Sequence, residues 1–142
     1  MSKSLDSAFI LETLALFPKE YFLENLAVRA DGSILVTVLN KGELWCVPNP
    51  NGELPVTPVL VETLDNLPMG IVEVEPDVFY VCTLVEPTLE RFDMRGWTPG
   101  TPVKRERVLT FPAPAKRLNG ACLIGPNVLA IADGAAGACQ QV

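Results

Sequence analysis

Histidine is absent from the 142 residues. With it go the Ser-His-Asp and Cys-His nucleophile arrangements, His-ligated zinc and histidine general-base catalysis. The four cysteines, Cys46, Cys82, Cys122 and Cys139, form no CxxC pair, and three of them sit inside apolar runs. They read as buried free thiols rather than as a disulfide or metal set. The glycines between 96 and 100 do not lead from a strand into a helix, so no phosphate loop is present. The side chains that do share a pattern are Glu24, Met69 and Asn119, each standing immediately before one of three related phrases. Equivalent positions put all three in one layer, which with Asn25 and Trp97 could orient and polarise a small molecule. Glu24 also reads as a solvated strand-end carboxylate, and Asn119-Gly120 as turn chemistry at a strand entrance.

The phrases define the elements that must carry these residues. They run Asn25-Leu-Ala-Val-Arg-Ala-Asp-Gly-Ser-Ile-Leu-Val-Thr37, Gly70-Ile-Val-Glu-Val-Glu-Pro-Asp-Val-Phe-Tyr-Val-Cys82 and Gly120-Ala-Cys-Leu-Ile-Gly-Pro-Asn-Val-Leu-Ala-Ile-Ala132. Each is an apolar run, a two-residue turn and a second apolar run, the pattern of a β-hairpin. They begin at residues 25, 70 and 120, hence 45 and 50 apart, which leaves room for about four strands per repeat, as in a propeller blade. The expected strands are 26–28, 34–39, 44–47 and 59–64, then 71–74, 78–84, 89–94 and 103–110, then 121–124, 128–132 and 138–142. The glycines and prolines of 95–102 mark a loop that leaves Trp97 free to pack on a neighbour or line a rim. Apolar residues at Leu5, Phe9, Ile10, Leu14 and Phe17 have near-helical spacing, ended by Pro18.

The expected fold is therefore all-β, a single partial β-propeller over 1–142. A leading helix (1–20) precedes one blade (22–66), a second (67–115) and an incomplete third without an outer strand (116–142). The periodicity alone also describes a β-sandwich; the repeat spacing favours the propeller. Three blades cannot close a ring of about four to eight, so the chain is expected to be a truncated member of a longer family or a partial ring completed by another chain.

The net charge is −6, from 11 Lys plus Arg against 17 Asp plus Glu. No basic stripe is left to bind nucleic acid. Lys104-Arg105-Glu106-Arg107 alternates into apolar neighbours and reads as a solvated outer strand. No apolar run approaches the ~18–20 residues of a membrane span. Asp6 and Glu12 interrupt the leading apolar stretch, so the expected location is cytoplasmic.

Phe22-Leu-Glu-Asn-Leu-Ala-Val-Arg-Ala-Asp-Gly-Ser-Ile-Leu-Val-Thr37, Gly42-Glu-Leu-Trp45, Met69-Gly-Ile71, Pro76-Asp-Val-Phe-Tyr-Val81 and Leu118-Asn-Gly-Ala121 with 128–133 resemble the fungal branch of the SMP-30/gluconolactonase-like six-bladed propellers. The resemblance runs over nearly the whole chain from Phe22. In hydrolytic members a divalent cation is held in the central channel by Glu, Asn and Asp. Glu24 stands at the position of the first-blade Glu, and Asn119 resembles one of the Asn ligands. Such oxygen ligands suit Ca²⁺ or another hard cation. The chain departs from that pattern at Met69, a thioether in the same layer, and lacks the later blades that bring the Asp. Asp133 reads more simply as half of an Asp133-Gly134 turn.

Some members of this branch act in secondary-metabolite pathways as Diels–Alderase-like enzymes, including hetero-Diels–Alderases that join a quinone methide to a terpene alkene. The resemblance thus implies a cofactor-free cyclase that holds its small-molecule substrate among Glu24, Asn25, Met69, Trp97 and Asn119. A metal-dependent lactonase with Ca²⁺ on Glu24 and Asn119 is the alternative. A third reading is a non-catalytic fragment or interaction module, suggested by the missing blades and open strand edges. No nucleic-acid or membrane partner is expected, while a second chain completing the ring is.

Overall fold

The computed structural model describes residues 10–142, and its regular structure is almost wholly antiparallel strand, in three sheets. The first contains β1 (Leu23–Val28), β2 (Ile34–Val38), β3 (Glu43–Val47) and β4 (Val59–Thr63). The second contains β5 (Pro68–Glu75), β6 (Val78–Thr83), β7 (Thr88–Asp93) and β8 (Lys104–Thr110). The third contains β9 (Leu118–Gly125), β10 (Val128–Asp133) and β11 (Ala138–Gln141). Strands lie in sequence order within every sheet. The first strands stand side by side, β1 against β5 and β5 against β9.

The sequence repeat is also a repeat of register. Leu23 pairs with Val38, Pro68 with Thr83 and Leu118 with Asp133. Leu26 pairs with Val36, Ile71 with Val81 and Ala121 with Ile131, so the offsets of the phrases carry through the ladders. The hairpin turns obey the same correspondence: Gly32, Asp77 and Asn127 occupy one position, at φ 82°, 59° and 58°. Glycine reaches this left-handed region freely, and Asp and Asn are the side chains that tolerate it best. Pro76 and Pro126 precede the latter two, the order that presets a turn with a left-handed third residue.

Because successive side chains point to opposite faces, the middle sheet is buried on both. Phe79, Val81 and Phe92 meet Leu35, Leu44 and Cys46 of the first sheet. Cys82 and Leu89 meet Leu118, Leu129 and Ile131 of the third. Burying an aromatic such as Phe79 or Phe92 contributes about 1.5–3 kcal/mol relative to leaving it exposed. The basic outer strand is present as β8, and two of its arginines turn inward. Arg105 and Arg107 donate through Nε to the carboxylate of buried Glu90 at 3.3 and 2.9 Å.

Two sequence expectations need correction. The leading helix lies partly in residues 1–9, outside the described residues, and 10–20 form no helix. Instead Ala15 makes a parallel bridge with Val56, whose N–H donates to the Leu14 carbonyl at 2.8 Å. Phe17 and Tyr21 set their edges against Trp45, with centroids 5.7 and 6.0 Å away. An isolated helix this short is marginal in water, and docking onto the first sheet outweighs it. The cysteines also divide: Cys46 and Cys82 are buried, Cys122 and Cys139 exposed. Burial pushes the Cys82 thiol up to about 12 and raises that of Cys46. Cys122 and Cys139 lie on the outer face of the third sheet, which no described residue packs against as the sheets pack on one another.

Candidate functional site

Each of the three residues predicted to share a layer sits in a β-bulge. Glu24 is the extra residue between the Leu23–Val38 and Asn25–Thr37 pairs. Met69 and Gly70 together oppose Cys82, and Asn119 and Gly120 together oppose Ala132. A bulge unpairs one residue and re-aims its side chain, and such features gather at functional edges. Their recurrence at the start of all three first strands gives the layer a backbone cause.

Two contacts join the bulges. Thr37, fully buried, donates its hydroxyl to the Met69 carbonyl at 2.8 Å and accepts from the Asn25 amide at 3.1 Å. Gly70 lies so close to the third sheet that a Cβ there would collide with the Asn119 carbonyl and come within 2.8 Å of the Gly120 Cα. Asn25, Met69 and Asn119 thus belong to one continuous run of backbone. Their side chains differ in availability. Met69 is buried, and the side-chain Oδ1 of Asn25 accepts from the Leu26 backbone N–H at 2.8 Å. Asn119 is exposed, and half-buried Glu24 has no hydrogen-bond or ion-pair partner among the described residues. Glu24 and Asn119 could lend a hard cation two oxygens, against the roughly six to eight that Ca²⁺ takes. Among the described residues no group of three or more His, Cys, Asp or Glu is gathered for a metal. The residues present do not by themselves complete a calcium site.

Trp97 stands at the other end of the sheets. Its Nε1–H donates to the Thr101 carbonyl at 2.9 Å, and the Arg29 guanidinium lies 5.7 Å above its ring. Along β1, at about 3.3 Å per residue, Arg29 is roughly 16 Å from Glu24. Arg29 is only 8% exposed. It donates to both Asp77 carboxylate oxygens at 2.8 and 2.7 Å and to the Met94 carbonyl at 3.0 Å. The hydrogen bond to Asp77 raises the Arg29 pKa further. Beside this pair is a cleft of about 390 Å³ lined by Asp31, Ser33, Cys46, Asn49 and Trp97. The Ser33 hydroxyl donates to Asp31 at 2.6 Å and holds that carboxyl below its ordinary range. A second cleft, between the second and third sheets, is apolar along Val74, Leu89, Val108 and Leu129. At about 180 Å³ it is smaller than the ~300–1,000 Å³ typical of ligand pockets.

Asp133 does more than begin a turn. Its buried carboxylate accepts from the amides of Ala135 and Ala136 at 3.3 and 3.0 Å, and from those of Lys116 and Arg117 at 2.9 and 3.1 Å. It therefore ties the β10–β11 turn to the segment entering β9. Sequence reasoning found the turn from Asp-Gly; nothing local signalled the second pair of amides. Those N–H groups hold the Asp133 pKa below the usual carboxylate range, the Lys116 amide first. A depressed folded pKa gives stability that is fully present above the unfolded value, about 3.9, and is lost as pH falls through the folded one. The urea midpoint of the wild type is therefore expected to drop below about pH 4. Asp133→Asn should start lower at neutral pH and follow a flatter acid limb. Parallel pH profiles for the two proteins would remove this role.

No family model matches the chain, and no curated protein matches it. Fold and site together define an all-β protein of three repeated antiparallel sheets with a bulged layer at one end.

Proposed function

We propose that the three sheets are consecutive blades of a propeller of the SMP-30/gluconolactonase-like kind, and that the protein acts on a small molecule in secondary-metabolite biosynthesis as a (hetero-)Diels–Alderase-type cyclase. The recurrence of the bulge at Glu24, Met69–Gly70 and Asn119–Gly120, with adjoining first strands, carries the reading. It supplies a fixed layer of backbone and two available polar side chains in a chain without histidine. A cycloaddition needs two reactants held in near-attack geometry, with a donor or dipole on the one that gains charge, and no proton shuttle. In this role the exposed Asn119 amide orients and polarises the electron-poor partner, while apolar surroundings hold the alkene.

The test is cycloaddition of a quinone methide with a terpene alkene, with and without the protein. A faster reaction and an altered product stereochemistry are expected, both reduced by Asn119→Ala. Unchanged rate and stereochemistry would remove the cyclase reading. Metal-dependent lactone hydrolysis is the second reading, resting on the half-buried, unpartnered Glu24; because Glu24 and Asn119 do not complete a cation site, it requires further oxygen ligands from a second chain, and the protein should then lose lactonase activity on EDTA treatment and on Glu24→Gln.

A further inference from the structure

The two cores of the molecule are two instances of one interface. Ala27 and Leu35 of the first sheet pack toward Ile71, Phe79 and Val81 of the second. Val72, Tyr80 and Cys82 of the second sheet pack toward Ala121, Leu129 and Ile131 of the third. The ladders make the correspondence residue by residue: Ala27–Leu35, Val72–Tyr80 and Cys122–Ala130 are equivalent cross-strand pairs. Leu26–Val36, Ile71–Val81 and Ala121–Ile131 are equivalent pairs on the opposite faces. The first two sheets thus each have a leading face, which the next sheet covers, and the last two a trailing face, which covers the one before.

Two such faces remain open among the described residues. The leading face of the third sheet carries Cys122, Ala130, Ala132 and Cys139 around an uncharged groove of about 330 Å³, with Ile124 58% exposed beside it. The trailing face of the first sheet leaves Leu26 and Val28 59% and 57% exposed on β1. Phe17 and Tyr21 cover Trp45 farther out on that face and leave the β1 side open. Apolar faces of this kind mark interaction surfaces.

We infer that these faces bind each other between two copies of the chain, the leading face of each third sheet receiving the trailing face of the other copy's first sheet. A second copy is the occupant because its open trailing face is the repeat equivalent of the two surfaces that already cover leading faces inside the chain. The groove on the third sheet is lined by uncharged residues, and Leu26 and Val28, which would enter it, are apolar, so no charge opposes the contact at its centre. Two copies engage all four faces and bring six sheets together, within the roughly four to eight that close radially. Closure also leaves no open face from which a head-to-tail contact could grow into a filament. The inference takes from the proposed function only the stacking of sheets, and nothing from the reaction.

Light scattering on the size-separated protein tests it. The expected mass is twice the 15.4 kDa of one chain. Val28→Glu and Ile124→Glu, both at exposed positions, should each halve that mass while leaving circular dichroism unchanged. Mixing the two variants should restore a two-chain species, because each retains the face that the other has lost. Val85→Glu, exposed on the β6–β7 connection, should leave the mass unchanged. A wild-type monomer, a polydisperse polymer or a dimer indifferent to Val28→Glu would overturn the inference; the last would indicate pairing of two third sheets. The mass reports neither substrate nor turnover, so its failure would leave the cyclase proposal to its own assay.

Discussion

Asp77→Asn is expected to destabilise the protein by about 3 kcal/mol, the lower end of the range for breaking one side of a buried ion pair. The substitution keeps the size of the side chain and its tolerance of the left-handed turn, and Asn127 occupies the equivalent position in the third sheet. What it removes is the charge opposite Arg29, which reaches from the first sheet to the β5–β6 turn of the second. Arg29 is nearly buried and always protonated, so it cannot escape by losing its proton. Asp31, 3.7 Å away, and the Met94 carbonyl remain as partial partners, which keeps the loss near the lower end. Arg29→Met should cost less, because Asp77 is 20% exposed and can regain water. The double variant should recover part of the loss of Asp77→Asn, since it leaves no unpaired buried charge. Chemical denaturation of all four proteins measures the coupling, and strictly additive losses would show that the pair does not act as a unit.

This pair also marks the limit of what the sequence made legible. The hairpins were readable because their turns are local: Asp31-Gly32, Pro76-Asp77 and Pro126-Asn127 each set a left-handed residue between two apolar runs. The shared layer was readable because the repeat aligns Glu24, Met69 and Asn119. That the layer consists of bulges was not, since a bulge is a relation between strands and leaves no mark on one strand alone. Nothing adjacent in the chain marks Arg29 as one half of an ion pair, because its partner lies 48 positions away. Likewise Phe17 appeared helical by spacing, while its ring is held by Trp45 across the first sheet. Cys122 and Cys139 are exposed against expectation for a related reason: an apolar alternation specifies a face suited to burial and says nothing of whether another element covers it.

Gly70→Ala tests the junction between the second and third sheets. Its new Cβ would meet backbone atoms, the Asn119 carbonyl and the Gly120 Cα, which cannot rotate away as a flexible side chain would. The expected loss is about 1–3 kcal/mol, as for other overpacked sites. For a domain of this size each kcal/mol lowers the melting midpoint by about 2–4 °C. Gly120→Ala is the matched control from the other side of the contact, because a Cβ there meets nothing within 4 Å and Gly120 has no positive φ. It should be neutral or stabilising by up to about 1 kcal/mol through the unfolded chain. The damage from Gly70→Ala should also be directional. Moving β9 away from β5 opens the core around Cys82, Leu118 and Ile131 first, while Leu35, Phe79 and Phe92 stay packed. Thiol labelling in native buffer should therefore reach Cys82 in the variant well before Cys46. Equal labelling of the two buried cysteines would mean that the sheets separate together, and that Gly70 does not define a boundary at which the third sheet can come away from the rest.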